Sequence, residues 1–191
     1  MAEKIIEIRW HGRGGQGAVV ASMILAKAAF YEGYWSQAFP FFGAERRGAP
    51  IMAFTRISKE PIKLRSQIYE PDILVVLDPM LVENPLIWRG FKDRGVVVMN
   101  TTKPPNEVKL GGKPSKVGTV DATKIAIDLD LVTEGLPKPN TAIVGAFSRV
   151  TGLVSLDHVK KAIVDTLGEK IAEPNIKAAE LAYDNVKIVE L

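Results

Sequence analysis

The chain has 191 residues, 47% of them hydrophobic and 25% charged, which favours a single globular domain over residues 1–191 and excludes a disordered chain. Its 25 Lys and Arg residues against 22 Asp and Glu residues leave a formal net charge of +3, too small to indicate a nucleic-acid-binding protein. The sequence has no cysteine, which excludes disulfides, a thiolate nucleophile, and zinc or iron–sulfur sites held by cysteine.

Strand and helix patterns alternate in the first third of the chain. Residues 4–10 are rich in β-branched side chains and predict a strand, and residues 16–31 predict a helix covered on most sides. Residues 34–39 and 51–57 predict a second and a third strand. Between these two strands we expect a turn-rich link from Pro40 to Pro50.

The continuous apolar run of residues 73–77 is typical of a strand buried on both faces of a parallel sheet, and residues 96–100 (Val-Val-Val-Met-Asn) predict another buried strand. Asp78 and Pro79 follow the first run and predict the N-terminus of a helix that extends to about Lys92. Strands of this kind joined by helices favour an α/β fold, Rossmann-like, with a mostly parallel sheet flanked by helices.

The last third of the chain is rich in helical patterns. Residues 116–120 predict a further strand, and Asp121 is placed to cap a short helix after it. Longer helices are predicted over residues 140–150, 156–167 and 175–186. We expect this helix-rich part to cover the faces of the sheet or to contact a partner.

A basic loop separates two of the predicted strands. Between residues 101 and 120 the charged residues sum to +3, which equals the net charge of the whole chain. They are Lys103, Glu107, Lys109, Lys113 and Lys116. The stretch is either a solvated loop or a docking surface for an anionic ligand or a partner subunit.

No secretory signal or membrane span is predicted. Glu3, Lys4 and Glu7 interrupt the apolar residues of the N-terminus. The longest apolar run, residues 73–77, is far shorter than the roughly 20 residues that cross a bilayer. We therefore expect a soluble, cytoplasmic protein.

A Gly-x-Gly-x-x-Gly motif lies between the first predicted strand and the first predicted helix. In that position Gly12 allows a tight turn with positive φ, Gly14 lets the backbone approach a phosphate, and Gly17 lets the helix pack against the strand. The N–H groups at the start of the helix attract an anion. The candidate cofactor-binding residues of this loop are Gly12, Arg13, Gly14, Gly15, Gln16 and Gly17.

The motif leaves three interpretations open. A nicotinamide site requires an acidic residue near the end of the second strand, about 20 residues further on. Residues 37–41 are Gln-Ala-Phe-Pro-Phe, whereas Glu32 precedes that strand and Glu45 follows it. The loop is therefore a dinucleotide site, a turn that binds nothing, or a contact for another phosphate-bearing ligand or for a cofactor held by a partner.

A second candidate site lies in the link after the second strand. Arg46 and Arg47 have the planar guanidinium groups that suit phosphate or carboxylate. Phe39, Phe41 and Phe42 precede them, and aromatic residues with arginine at the rim are typical of protein interfaces. Arg46 and Arg47 are thus candidates for binding a coenzyme or for forming interface ion pairs.

Other polar residues follow the predicted parallel strands. Asp78 and residues 100–102 are candidates for lining the crevice at the carboxyl ends of the strands, although a helix cap is the simpler role for Asp78. His11 precedes the glycine loop and is expected to be a hydrogen-bonded structural residue. No nucleophile, base and orienting group come together in the pattern, so we assign no catalytic residue.

Four segments together resemble the gamma subunit of the 2-oxoacid:ferredoxin oxidoreductases, with the pyruvate enzyme (pyruvate synthase) as the most similar member. The resemblance covers nearly the whole chain and is specific because its motifs occur in this order and spacing. The segments are His-Gly-Arg-Gly-Gly-Gln-Gly (11–17), Phe-Phe-Gly-Ala-Glu-Arg-Arg-Gly (41–48), Asp-Ile-Leu-Val-Val-Leu-Asp (72–78) and Asn-Thr-Ala-Ile-Val-Gly-Ala (140–146).

The resemblance implies a division of roles among subunits. The holoenzyme converts pyruvate and coenzyme A to acetyl-CoA and CO₂ and reduces ferredoxin. Thiamine diphosphate and Mg²⁺ lie on the alpha and beta subunits, and [4Fe-4S] clusters lie on the beta and delta subunits. The gamma subunit holds no cofactor alone, packs against the alpha, beta and delta subunits, and forms part of the surroundings of coenzyme A. It is expected to be inactive alone, with the 2-oxoacid selected on other chains.

Two rival functions remain. The glycine loop supports a stand-alone dinucleotide-binding oxidoreductase, against which the missing acidic residue argues. The phenylalanine-rich residues 39–42 support a non-catalytic interaction subunit that binds no small molecule.

Overall fold

The computed structural model of the chain describes residues 5–41 and 48–191. These residues form nine strands and six α-helices. The strands are β1 (Ile6–Arg13), β2 (Trp35–Phe41), β3 (Pro50–Ser58), β4 (Ile73–Val76), β5 (Val96–Asn100), β6 (Lys116–Val120), β7 (Val132–Thr133), β8 (Leu136–Pro137) and β9 (Lys187–Glu190). The α-helices are α1 (Ala18–Tyr31), α2 (Pro85–Trp88), α3 (Ala122–Asp128), α4 (Asn140–Thr151), α5 (Leu156–Leu167) and α6 (Glu169–Asn185).

Seven strands of the described residues form one sheet, in the order β2-β3-β1-β4-β5-β6-β9. Strands β1, β4, β5 and β6 run parallel, which confirms the predicted α/β fold with a mostly parallel sheet flanked by helices. Antiparallel strands flank this centre: β3 and β2 beside β1, and β9 beside β6. Strand β9 and the small β7–β8 hairpin were not predicted from the sequence.

One face of the sheet is covered by helices. Helices α1 and α4 contact the sheet, and α5 and α6 pack against them from outside. Alternate strand residues face this layer; among them, Trp10 stacks on Phe147 of α4 with ring centroids 6.0 Å apart. The helix-rich C-terminal part therefore covers one face of the sheet rather than both.

The opposite face is covered mainly by irregular segments. Leu74 and Val97 of the sheet pack against Leu81 and Trp88, which follow β4. Val108, within the basic loop, contacts the same cluster, so apolar residues of that loop anchor it to the sheet. None of the helices in residues 5–41 and 48–191 combines the length and the apolar character needed to span a bilayer.

The predicted helix from Asp78 to Lys92 is wrong. Asp78 does act as an N-cap, because its Oδ1 accepts a hydrogen bond from Met80 N at 2.9 Å, but it caps only a 3₁₀ turn over Pro79–Leu81. Asn84 then caps α2, accepting from Leu86 N at 3.0 Å. Pro85 after it disfavours helical dihedrals at Asn84 and lacks an N–H group, so the first turn cannot continue.

The last helix begins at Glu169, six residues before its predicted start at residue 175, and Pro174 lies within it. Next to this proline, the side-chain amide of Asn175 donates to Ile171 O at 2.8 Å. The extent of α6 depends mainly on its packing against α4, which the helix propensity of the local sequence does not reveal.

Helices α4 and α6 approach each other closely at Gly145. A Cβ atom on Gly145 would overlap the backbone carbonyl of Ala179 in α6. Backbone cannot move aside as the end of a flexible side chain can, so the missing side chain sets the distance between the two helices.

We expect Gly145→Ala to lower the free energy of unfolding by about 1–3 kcal/mol, because it overpacks this contact. Alanine is the better helix former, so a loss of stability identifies the clash rather than helix propensity. Urea unfolding of the variant measures the effect. Lys170→Ala, at an exposed position of α6, should change stability by less than about 0.5 kcal/mol. A Gly145→Ala protein as stable as the parent would contradict the close approach.

Candidate functional site

The first glycine of the loop lies within a strand rather than in a turn. Strand β1 continues through Gly12 and Arg13, and positive φ occurs at Gly15 (103°) and Gly17 (85°) instead. The prediction of a positive-φ turn at Gly12 is therefore wrong. A Cβ atom at Gly12 would make contacts of 3.3 Å with Gln16 Oε1 and 3.4 Å with Leu77 Cβ, both side-chain atoms.

The backbone of Gly14 is bound within the chain. Its N–H donates to Ala49 O at 2.9 Å, and its carbonyl accepts from Gly48 N at 3.2 Å. These bonds continue the pairing of β1 with β3 beyond the last strand residue. The N–H group that the motif assigns to a phosphate is thus engaged by residues just before β3.

The other two glycines of the loop give room to the C-terminal half of the chain. A Cβ on Gly15 would lie 2.8 Å from Leu136 Cδ1, and a Cβ on Gly17 would lie 2.6 Å from Asn140 Nδ2. Lys138 Nζ also donates a hydrogen bond to Gly15 O. Strand β8 and the start of α4 therefore pack directly on the loop.

Arg13, Gln16 and Asp78 come together at the carboxyl ends of β1 and β4. Arg13 Nε and Gln16 Nε2 donate to Asp78 Oδ2 at 2.9 and 3.3 Å. Gln16 Oε1 in turn accepts from Arg13 N at 2.8 Å. The charge of Arg13 is balanced inside the chain, in the crevice where open α/β sheets bind ligands.

Asn100 joins the ends of two neighbouring strands. Its Nδ2 donates to Leu77 O and to Thr123 Oγ1, both at 2.7 Å, and its Oδ1 accepts from Thr123 N at 3.1 Å. The side chain therefore connects β5, the end of β4 and the start of α3. These bonds give Asn100 a structural role in the crevice.

The N-terminus of α1 opens into a cavity of about 480 Å³. No side chain of the described residues caps this helix, so the positive end of its dipole faces the cavity. Lys138 and Glu134 line the same cavity. The wall is formed by the glycine loop, the first turn of α1 and the β7–β8 hairpin.

Arg46 and Arg47 lie outside the residues that the structure describes, as do Phe42 and Glu45. Of the aromatic residues before them, Phe39 is half-buried: its ring lies 5.1 Å from that of Phe54, with the Arg56 guanidinium 5.4 Å away.

Sequence reasoning missed a larger cavity on the irregular face of the sheet, with a volume of about 820 Å³. Arg9 and His11 of β1 line it, and only 6% of Arg9 and 4% of His11 is exposed. The sequence does contain a pattern that indicates this polar face of β1, because Glu7, Arg9, His11 and Arg13 alternate with other residues along the strand. From the sequence, only Arg13 of these four residues is proposed as a binding residue, and His11 is expected to be structural.

The polar side chains beneath this cavity are bonded to each other. Arg9 Nε donates to His11 Nε2 at 3.0 Å. Burial, and then the charge of Arg9, lower the pKa of His11 from 6.5 to about 3. Burial also lowers the pKa of Arg9 to about 10, so the guanidinium remains a cation at neutral pH next to a neutral imidazole.

Residues 7–185 match the family model described as pyruvate ferredoxin/flavodoxin oxidoreductase. The chain is 52% identical to the "Pyruvate/ketoisovalerate oxidoreductases common subunit gamma" of Pyrococcus furiosus, over 98% of this chain and 100% of that protein. It is 57% identical to the "Pyruvate synthase subunit PorC" of Methanocaldococcus jannaschii, over 95% of this chain and 97% of that one.

A solved structure supports the same relationship. The pyruvate oxidoreductase subunit PORC of Thermotoga maritima superposes with a TM-score of 0.80 at 38% identity, over 98% of this chain and 99% of that chain. The similarity thus extends across the whole sheet and its helices.

The buried imidazole of His11 predicts a specific dependence of stability on pH. Between about pH 6.5 and pH 3 the unfolded chain binds a proton on His11 that the folded chain does not, so stability falls as the pH falls through that window. The contribution approaches about 1.4 kcal/mol per pH unit. His11→Gln keeps a hydrogen-bond acceptor for Arg9 but does not titrate. The stability of the parent relative to this variant should therefore decrease from pH 6 to pH 4 in urea titrations.

His158→Gln removes the other histidine and serves as the control, since it should retain the loss of stability due to His11. A parent and a His11→Gln protein with the same pH dependence would refute a buried neutral His11.

Proposed function

This chain belongs to the pyruvate ferredoxin/flavodoxin oxidoreductase family, and from that membership we propose that it is the gamma subunit of a multisubunit 2-oxoacid:ferredoxin oxidoreductase that acts on pyruvate. The complete enzyme would convert pyruvate and coenzyme A to acetyl-CoA and CO₂ and pass the electrons to ferredoxin. The alpha, beta and delta subunits would be the partners of this chain.

The observation that carries the proposal is the equal extent of the matched chains. The match covers 98% of this chain and all of the Pyrococcus subunit, whose name makes it one component of larger oxidoreductases. A TM-score of 0.80 over 98% of the chain extends this agreement to the fold. Both comparisons match this chain with a separate subunit.

We assign the redox centres to the partner chains. The sequence has no cysteine to ligate an iron–sulfur cluster, so electron transfer to ferredoxin requires another chain. Thiamine diphosphate with Mg²⁺ is assigned to the alpha and beta subunits, and the [4Fe-4S] clusters to the beta and delta subunits. The Pyrococcus relative is named as common to pyruvate and ketoisovalerate oxidoreductases, which supports selection of the 2-oxoacid outside the gamma chain.

The sheet topology weighs against the rival dinucleotide enzyme. In a nicotinamide site the acidic residue stands at the end of a parallel strand next to the glycine-loop strand. Here β3 runs antiparallel beside β1 and presents its starting end to the loop. On the other side of β1, Asp78 follows the parallel strand β4 and is paired with Arg13.

We further propose that the glycine loop contributes to the surroundings of coenzyme A. The open N-terminus of α1 and the ammonium group of Lys138 face the cavity of about 480 Å³, and both attract phosphate. Gly14 supports the loop through its backbone pairing, and Arg13 is positioned by Asp78. The assignment covers the loop residues Gly12, Arg13, Gly14, Gly15, Gln16 and Gly17, together with Arg46 and Arg47.

The isolated chain is expected to be inactive. Purified alone, it should show no reduction of an electron acceptor with pyruvate and coenzyme A, because its sequence has no cysteine to ligate an iron–sulfur cluster. Addition of the chain to a complex prepared without it should restore activity. Turnover by the chain alone would overturn the assignment of the redox centres to other subunits.

Coenzyme A binding to the assembled complex tests the loop. Lys138→Met, Arg13→Ala and Arg46→Ala should each weaken binding by about tenfold or more if the side chain holds a phosphate, the usual effect of losing one charge-assisted hydrogen bond. Lys170→Ala is the matched control with an exposed lysine. Isothermal titration of each complex gives the affinities, and an intact complex on gel filtration shows that assembly is preserved.

Unchanged affinity in all three variants would favour a subunit that contributes only architecture. In that case the subunit assignment stands, since it depends on restored activity.

A further inference from the structure

The large cavity is lined by apolar side chains and by two buried ionisable side chains. Apolar side chains of β3 and of the segments around residues 68 and 81–87 form much of its wall, including Met52, Phe54, Ile68, Leu81 and Ile87. Its volume of about 820 Å³ lies within the range of small-molecule sites. Arg9 and His11 are the buried ionisable residues of its lining.

The hydrogen bond from Arg9 decides which nitrogen of His11 carries the proton. A guanidinium Nε–H can only donate, so His11 Nε2, at 3.0 Å, must accept. The neutral ring then carries its proton on Nδ1. Within residues 5–41 and 48–191 this Nδ1–H has no hydrogen-bond partner and keeps a small contact with solvent, although only 4% of the residue is exposed. A buried ring at the cavity wall therefore retains an unused donor.

The charge of Arg9 is not balanced by a carboxylate of the described residues. Its bonds go to His11 Nε2 and to the carbonyl oxygens of Tyr69, Ile87 and Arg89, at 3.4, 2.8 and 2.8 Å for the three carbonyls. The carboxylate of Glu7, two residues away along the strand, is paired with Arg56 at 2.9 Å. A buried cation with neutral partners favours an anion nearby.

We propose that this cavity is a binding site for a small monocarboxylate with an apolar body, whose carboxylate accepts the hydrogen bond from His11 Nδ1–H. The apolar walls cover the hydrocarbon part, and the positive charge of Arg9 behind the imidazole favours the anion. The exposed Glu70 stands at the rim, where its carboxylate remains in solvent. The proposal is independent of the glycine loop, which lies at the start of α1 and not at this cavity.

Histidine NMR tests the proposal directly, because the chain has only two histidines. With ¹⁵N-labelled histidine, His11 should appear as the Nδ1–H tautomer at pH 7. Hexanoate should then shift the His11 signals saturably and leave His158 unmoved. Acetate has the carboxylate without the apolar body, and hexan-1-ol has the body without the charge; each should bind at least about tenfold more weakly.

Two variants separate the cavity from general hydrophobic binding. Met52→Trp fills the space, and His11→Phe removes the donor; each should abolish saturable hexanoate binding measured by calorimetry, with an unchanged His158 signal as evidence of folding. Lys170→Ala should bind like the parent. An Nε2–H tautomer, equal affinity for hexanoate and hexan-1-ol, or binding that survives Met52→Trp would each overturn the proposal.

The same titration in the complex with the partner subunits distinguishes a free ligand from a partner group. A retained His11 shift supports a small-molecule site. Loss of the shift on assembly would overturn it and indicate that a partner chain fills the cavity.

Discussion

Backbone hydrogen bonds between β1 and β3 run along the whole of β1, from the pair Ile6–Ile57 to the pair Arg13–Pro50. They continue into the glycine loop, where Gly14 exchanges two bonds with residues 48 and 49. Antiparallel β3 therefore occupies the position next to β1 in which a dinucleotide-binding fold has a parallel strand that ends with an acidic residue. The kind of ligand that the glycine loop can bind therefore depends on the pairing of β1 with β3.

The pairing also determines what surrounds the carboxyl end of β1. At the carboxyl end, antiparallel β3 lies on one side of Arg13, and Arg13 pairs with Asp78, which follows the parallel strand β4 on the other side. The loop glycines then serve contacts with Leu136 and Asn140 of the C-terminal half. Among the described residues at the glycine loop, the open helix end and Lys138 remain as the features that attract an anion.

A second consequence concerns the face of the sheet that lacks helices. Because β3 and β2 extend the sheet beside β1, the side chains of Arg9 and His11 meet Phe54, Met52 and irregular segments there. Arg9 holds the carbonyls of Ile87 and Arg89 at the end of α2 and so ties this covering segment to the strand. The buried cation therefore stabilises the cover and at the same time makes the cavity electropositive.

The local sequence pattern was sufficient to predict the apolar strands and most of the helices. Strands such as residues 73–76 and helix caps such as Asp121 and Ser155 depend on residues that are neighbours in the sequence. The family followed from motifs of contiguous residues for the same reason. The short turns around Pro85, the long α6, the strand β9 and the partners of Gly14, Gly17 and Asp78 depended on residues far away in the chain. Hydrogen bonds and close approaches across such distances exist only after the sheet has assembled, and so the tertiary structure alone decided the surroundings of the glycine loop and the cavity lined by Arg9 and His11.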